Sequence, residues 1–134
     1  MKLLADIGNS QIKIAQNDNQ KLLKIKSFSI EDIEKFRKYI TKTYAIKGCT
    51  LFYSSVLGDK FNRKIKKTLK GIFISETQFK STKSLMTVKN CYNQPGKLGS
   101  DRWAQIVAAH KIFKKNTMIV SCGSAISIDY VTAT

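Results

Sequence analysis

Nothing in the 134 residues approaches the roughly 20-residue apolar run that a helix needs to cross a bilayer. The opening Met1-Lys2-Leu3-Leu4-Ala5-Asp6 meets an acid too soon to serve as a signal peptide's apolar segment. Cysteine is sparse: Cys49, Cys91 and Cys122 are widely spaced, with no metal-ligand pairing, and read as reduced thiols of a cytoplasmic protein. Arginine is scarcer still, with only Arg37, Arg63 and Arg102 among 24 basic residues. Specific recognition of bases and phosphates favours the planar arginine fork. The formal net charge of +15 is therefore mostly lysine, spread along the chain, and reads as a solvated surface rather than a nucleic-acid-reading face. No repeat or low-complexity linker interrupts the sequence.

What is present belongs to one modest folded domain, 43% hydrophobic and 10% aromatic. Residues 2–7 read as a strand ending at the turn Gly8-Asn9-Ser10. Residues 11–16 alternate Ile12 and Ile14 with polar neighbours, which is the period of a half-buried strand. The polar turn 17–20 returns the chain as a third strand over 22–28, making an antiparallel meander. Ser29 is a suitable helix N-cap, followed by Ile30, Ile33, Phe36 and Ile40 at helical spacing. A strand over 50–56 precedes a helix capped by Asp59 and running to 70, with Phe61, Ile65 and Leu69 inward and its lysines outward. Residues 71–75 suggest another strand, and 100–114 a third helix with Trp103, Ile106, Val107 and His110 on its core face. Strands over 117–122 and 126–131 close the chain. This order predicts an α/β lobe, residues 1–115, followed by the opening hairpin of a second lobe, residues 116–134. A lone hairpin is marginal in water, so the expectation is that the rest of the second lobe is missing or comes from another chain.

Three segments carry chemistry, each with a plain structural alternative. Asp6-Ile7-Gly8-Asn9-Ser10-Gln11-Ile12-Lys13 is a hairpin whose backbone N–H groups can face a phosphate. Its Asp6 suits a water-retaining Mg²⁺ and its Lys13 suits phosphate charge, yet an ordinary Asn-Ser turn also explains it. In the run from Asn90 to Trp103 a loop enters a helix, with Gly99 at the junction and Ser100, Asp101 and Arg102 in its first turn. A carboxylate there can accept a hydroxyl proton during phosphoryl transfer, and an arginine can grip a carboxylate; equally, Ser100 and Asp101 can simply cap the helix. Ser121-Cys122-Gly123-Ser124-Ala125-Ile126-Ser127-Ile128-Asp129 echoes the first segment, and is otherwise a Gly-Ser hairpin.

Taken together, in order and spacing, the three segments resemble the type III pantothenate kinases, of the superfamily of actin, the hexokinases and the heat-shock ATPases. That family opens with Asp-x-Gly-Asn-[Ser/Thr], as at Asp6 to Ser10. It continues with Tyr-x-x-Pro-x-x-Leu-Gly-x-Asp-Arg, matched by Tyr92, Pro95, Leu98, Gly99, Asp101 and Arg102. It then shows Asp-x-Gly-[Thr/Ser]-Ala and a further Asp, matched at Gly123, Ser124, Ala125 and Asp129, with Ser121 where the family has its first acid.

The resemblance implies a ribonuclease H-like, actin-type ATPase lobe that transfers the γ-phosphoryl group of ATP to pantothenate, the first step toward coenzyme A. It implies ATP with Mg²⁺ around Asp6, Gly8, Asn9, Ser10, Lys13, Gly123, Ser124 and Ala125. Tyr92, Gly99, Ser100, Asp101 and Arg102 would line the pantothenate site, with Asp101 as the catalytic base. Asp129 would help hold a monovalent cation, K⁺ or NH₄⁺, and the assembly would be a cytoplasmic homodimer without membrane attachment. Ser121 supplies no negative charge, so the expectation is a weakly active or incomplete enzyme; the alternative is a non-catalytic relative serving as a transcriptional accessory or nucleic-acid-binding factor.

Overall fold

A computed structural model describes residues 1–19, 21–44 and 48–133. Gln20, at the end of the expected turn 17–20, and Thr134, at the end of the expected second-lobe segment, lie outside the described residues. The chain packs as two compact units, Met1–Phe79 and Lys80–Thr134.

The first unit is a five-stranded mixed sheet in the order β3-β2-β1-β4-β5. Strands β1 (Lys2–Ile7), β2 (Gln11–Asp18) and β3 (Lys21–Ser29) form the antiparallel meander, while β4 (Thr50–Ser55) and β5 (Ser75–Phe79) run parallel to β1. Parallel neighbours need a crossover, and helices α1 (Ile33–Tyr44) and α2 (Asp59–Leu69) supply the two required here. This mixed α/β arrangement agrees with the actin-type lobe expected from the sequence.

Strand periodicity divides the sheet into unlike faces. Leu3, Ala5 and Ile7 on β1 stand level with Ile14 and Ile12 on β2 and with Leu51 and Tyr53 on β4. All are buried, together with Ile33, Phe36, Ile40 and Tyr44 of α1 and Ile65 and Leu69 of α2. Phe28 of β3 extends this core, its ring lying 5.4 Å from that of Phe36 and 5.2 Å from that of Tyr39. The opposite face, carrying Asp6, Lys13 and Phe52, is exposed.

Three local expectations shift, the first being the start of α2, where Gly58 and not Asp59 stands at the N-cap and no side chain caps the helix. Ser29 ends β3 instead of capping α1; Asp32 caps it, its Oδ1 accepting the Lys35 N–H at 3.1 Å. The Ser29 hydroxyl accepts the Glu31 N–H at 3.3 Å, the kind of local bond that holds a serine in a turn. Residues 71–74 are a turn rather than a strand, because Gly71 takes φ +80° and Ile72 N–H bonds back to Leu69. Ile72 and Phe73 still pack on the core from that turn.

The second unit is thinner. A short hairpin, β6 (Ser84–Leu85) with β7 (Val88–Lys89), had no sequence signal, since its turn contains no glycine or asparagine and places Met86 at φ 54°. A turn of 3₁₀-helix (Pro95–Lys97) leads into α3 (Ser100–Phe113), which Lys114 ends in the left-handed conformation at φ 51°. Strands β8 (Thr117–Cys122) and β9 (Ile126–Val131) pair antiparallel with the boundaries expected from the sequence. Asp129 and Val131 on one face are buried, whereas Met118, Val120, Ile126, Ile128 and Tyr130 on the other are all more than half exposed.

Candidate functional site

Each unit carries one group of the expected residues. In the first, Gly8 N–H donates to the Gln11 carbonyl at 2.9 Å, closing the tight turn that joins β1 to β2. Antiparallel register then sets Lys13 directly opposite Asp6, and parallel register sets Ser54 beside it on the other flank. The Ser54 hydroxyl donates to Asp6 Oδ1 at 2.9 Å. Asp6, Asn9, Ser10 and Lys13 are all exposed around this strand end. A solvent-facing carboxylate with a neighbouring ammonium and a polar turn suits a hydrated Mg²⁺ carrying phosphates, because that ion keeps several waters and takes few carboxylates. Ser54 was missed by sequence reasoning; it lies 48 residues away, and only strand pairing brings it to Asp6.

In the second unit the first turn of α3 does the gathering. Arg102 Nε–H donates to Asp129 Oδ2 at 2.9 Å and Nη2–H to Asp129 Oδ1 at 2.6 Å, a two-point ion pair. Its Nη1–H reaches the Tyr92 hydroxyl at 3.3 Å. The hydrogen bond from Asp129 raises the Arg102 pKa further above its usual range, against the opposing effect of partial burial. Tyr92 is held by Asn90, whose Oδ1 accepts the Tyr92 N–H at 3.1 Å while its amide donates to the carbonyls of Thr82 and Pro95. Asn90 opens the loop-to-helix segment singled out in the sequence, but its part in holding Tyr92 was not legible there.

Asp101 adjoins this pair in sequence, at the positive end of the α3 dipole. Its Oδ1 is buried and has no hydrogen-bond partner among the described residues, which leaves an acceptor free for a hydroxyl proton. Ser100 is buried, and Gly99 stands at the helix N-cap without a side-chain cap. A cavity of about 470 Å³ opens beside Tyr92 and Asp129, walled by Leu98, Trp103 and Val131 and edged by Lys89 and His110. His110, expected on the packed face of the helix, therefore borders open space.

Gly123, Ser124 and Ala125 form the turn of the β8–β9 hairpin, with Gly123 N–H bonded to the Ala125 carbonyl at 3.2 Å. The nearest of them, Ala125, stands four residues from Asp129, about 13 Å along the strand. Ser121, at the position of the family's acid, donates its hydroxyl to Gln105 Oε1 on α3, a neutral partner for a neutral side chain. Asp129 suits a monovalent cation poorly, because both its oxygens already accept from Arg102.

Comparison with known proteins identifies relatives of the chain. A family model described as type III pantothenate kinase matches residues 2–134. A type III pantothenate kinase of Nitrosococcus oceani is 29% identical over 141 residues, covering 99% of this chain and 53% of the relative. One from Thermosipho melanesiensis is 28% identical over 137 residues, covering 96% of this chain and 53% of the relative. A Marinomonas protein of the same name is 46% identical over a shorter stretch of 46 residues, 34% of this chain and 19% of the relative. The chain thus spans about half the length of the full-coverage relatives.

Proposed function

This chain belongs to the type III pantothenate kinase family, and we propose that it carries one part of a site that moves the γ-phosphoryl group of ATP onto pantothenate. The observation that carries this reading is the first turn of α3. An unpartnered carboxylate oxygen on Asp101 stands next in sequence to an arginine held against a tyrosine hydroxyl, where a hydroxy acid needs a base at one end and a cation at the other. Asp101 accepts the proton of the substrate's primary hydroxyl as that oxygen bonds to the γ-phosphorus and ADP leaves. Arg102 and Tyr92 hold the substrate carboxylate, with the backbone of Gly99 and Ser100 lining the same turn. Within the first unit, Asp6, Lys13 and the turn of Gly8, Asn9 and Ser10 receive nucleotide phosphates. When bound, Mg²⁺ neutralises phosphate charge.

The lobe boundary we propose lies between residues 115 and 116. That boundary falls inside the compact unit Lys80–Thr134, and the five large exposed side chains of the β8–β9 hairpin form a strip of the kind that marks an interaction surface. The same reading includes a homodimer in the cytoplasm. Cysteines Cys49, Cys91 and Cys122 are unpaired, in keeping with a reducing compartment, and among the described residues no helix is long and apolar enough to cross a membrane.

The test is direct. The purified chain is incubated with ATP, Mg²⁺ and pantothenate, and phosphopantothenate is measured by mass spectrometry. Slow formation is expected, reduced by roughly 100-fold or more in Asp101→Ala, the range for loss of a general base. Product that forms equally well in Asp101→Ala would remove the base from this assignment, and a wild-type chain that neither binds nor phosphorylates pantothenate would defeat the reading.

A further inference from the structure

We propose that Asp129 is a positioning residue: it grips the Nε–Nη2 side of Arg102 so that the Nη1–Nη2 end, together with the Tyr92 hydroxyl, is presented to the substrate carboxylate. The inference rests on the reading of Arg102 as the carboxylate-binding residue. It assigns Asp129 a task different from cation binding.

A guanidinium has two forks, one along Nε and Nη2 and the other along Nη1 and Nη2. Asp129 fills the first with both its oxygens, at 2.9 and 2.6 Å. At the second, the only partner among the described residues is the Tyr92 hydroxyl, at a long 3.3 Å. The anchoring acid is itself rigid, because it is only 8% exposed and pairs with Ile119 in the middle of the β8–β9 ladder. Arg102 keeps 29% of its side chain exposed, so its free end can meet a ligand. The result is an arginine fixed from behind by a strand and open in front.

Asp129 also exerts an opposing effect, since its negative charge repels a substrate carboxylate across the guanidinium. The two effects predict opposite signs for Asp129→Asn. An amide keeps the shape and one acceptor but turns an N–H group toward the arginine, which frees the guanidinium. If aiming dominates, pantothenate binds more weakly; if repulsion dominates, it binds more tightly. Aiming wins here because the exposed side of the arginine lets water screen the repulsion, while an unheld arginine must be ordered again at each binding event.

The experiment uses the 134-residue chain and two probes: pantothenate, and pantothenol, in which a hydroxymethyl group replaces the carboxylate. Affinities are followed by NMR titration, with the Arg102 Nε–H signal read in the same spectra. The wild type is expected to prefer pantothenate and to show an Arg102 Nε–H protected from exchange with water. Asp129→Asn is expected to weaken pantothenate about tenfold, leave pantothenol within about twofold, and expose the Nε–H signal. In an Arg102→Lys background the same change is expected to have no further effect on the preference. Tighter pantothenate binding by Asp129→Asn, an unchanged preference, or an effect seen only as altered potassium dependence would each overturn the proposal. Should Asp129→Asn fail to fold, the wild-type Nε–H signal decides: free exchange there overturns it. A wild type that binds no pantothenate defeats the reading beneath the inference, a result distinct from pantothenate binding with a freely exchanging Nε–H.

Discussion

The β1–β2 and β8–β9 hairpins are near echoes in sequence and opposites in chemistry. Each runs as a strand, a glycine two residues after a polar side chain, a small polar turn and a second strand. In the first, that polar side chain is Asp6, an exposed acid accepting from Ser54. In the second it is Ser121, a half-buried donor turned to Gln105. The helices explain the difference. In the first unit α1 and α2 cover the face that bears Leu3, Ala5 and Ile7, which leaves Asp6 on the open side. In the second unit the face bearing Ser121, Asp129 and Val131 is the one that bonds to α3, so its polar groups are paired internally, while Met118, Val120, Ile126, Ile128 and Tyr130 on the other face stay exposed. A shared pattern therefore sets a shared hairpin, and the covered face decides which residues remain available for ligands.

Three changes probe this contrast, beginning with the largest expected effect. Phe36→Ala opens a cavity at the centre of the fully packed first unit and should cost roughly 3–5 kcal/mol. Amide exchange in β1, β2 and β4 measures it, and protection unchanged from wild type would mean the core is not what holds Asp6 in place. Asp129→Ala strands Arg102 and should destabilise the second unit by about 2 kcal/mol, less than a fully buried pair because the arginine keeps some water. Trp103 fluorescence during urea unfolding reports it, and an unshifted midpoint would make this ion pair no stronger than a surface one. Asp6→Asn should leave the unfolding midpoint where it is while weakening binding of ATP with Mg²⁺ about tenfold. A loss of stability without a loss of nucleotide affinity would reverse the contrast between the two acids.

Much of the architecture was legible in advance. The boundaries of β1, β8 and β9, the meander and the three helices all follow from alternation, helical spacing and turn residues within a few positions of one another. The short β6–β7 hairpin was not legible, for want of a turn residue, and neither was the exchange of Ser29 for Asp32 as the cap of α1, since both side chains suit the role. Of the candidate site, the motif residues could be named from the chain, but their partners could not.

The linear order of residues determined by itself which elements form and which side chains carry acid, base and phosphate chemistry, because those properties depend on neighbours a few residues apart. Only the tertiary structure decided that Asp6 meets Ser54, that Ser121 meets Gln105, and that Arg102 is held by Asp129 from 27 residues away. Strand register and helix packing create those contacts, and a one-residue slip in a strand would turn each strand-borne side chain to the opposite face.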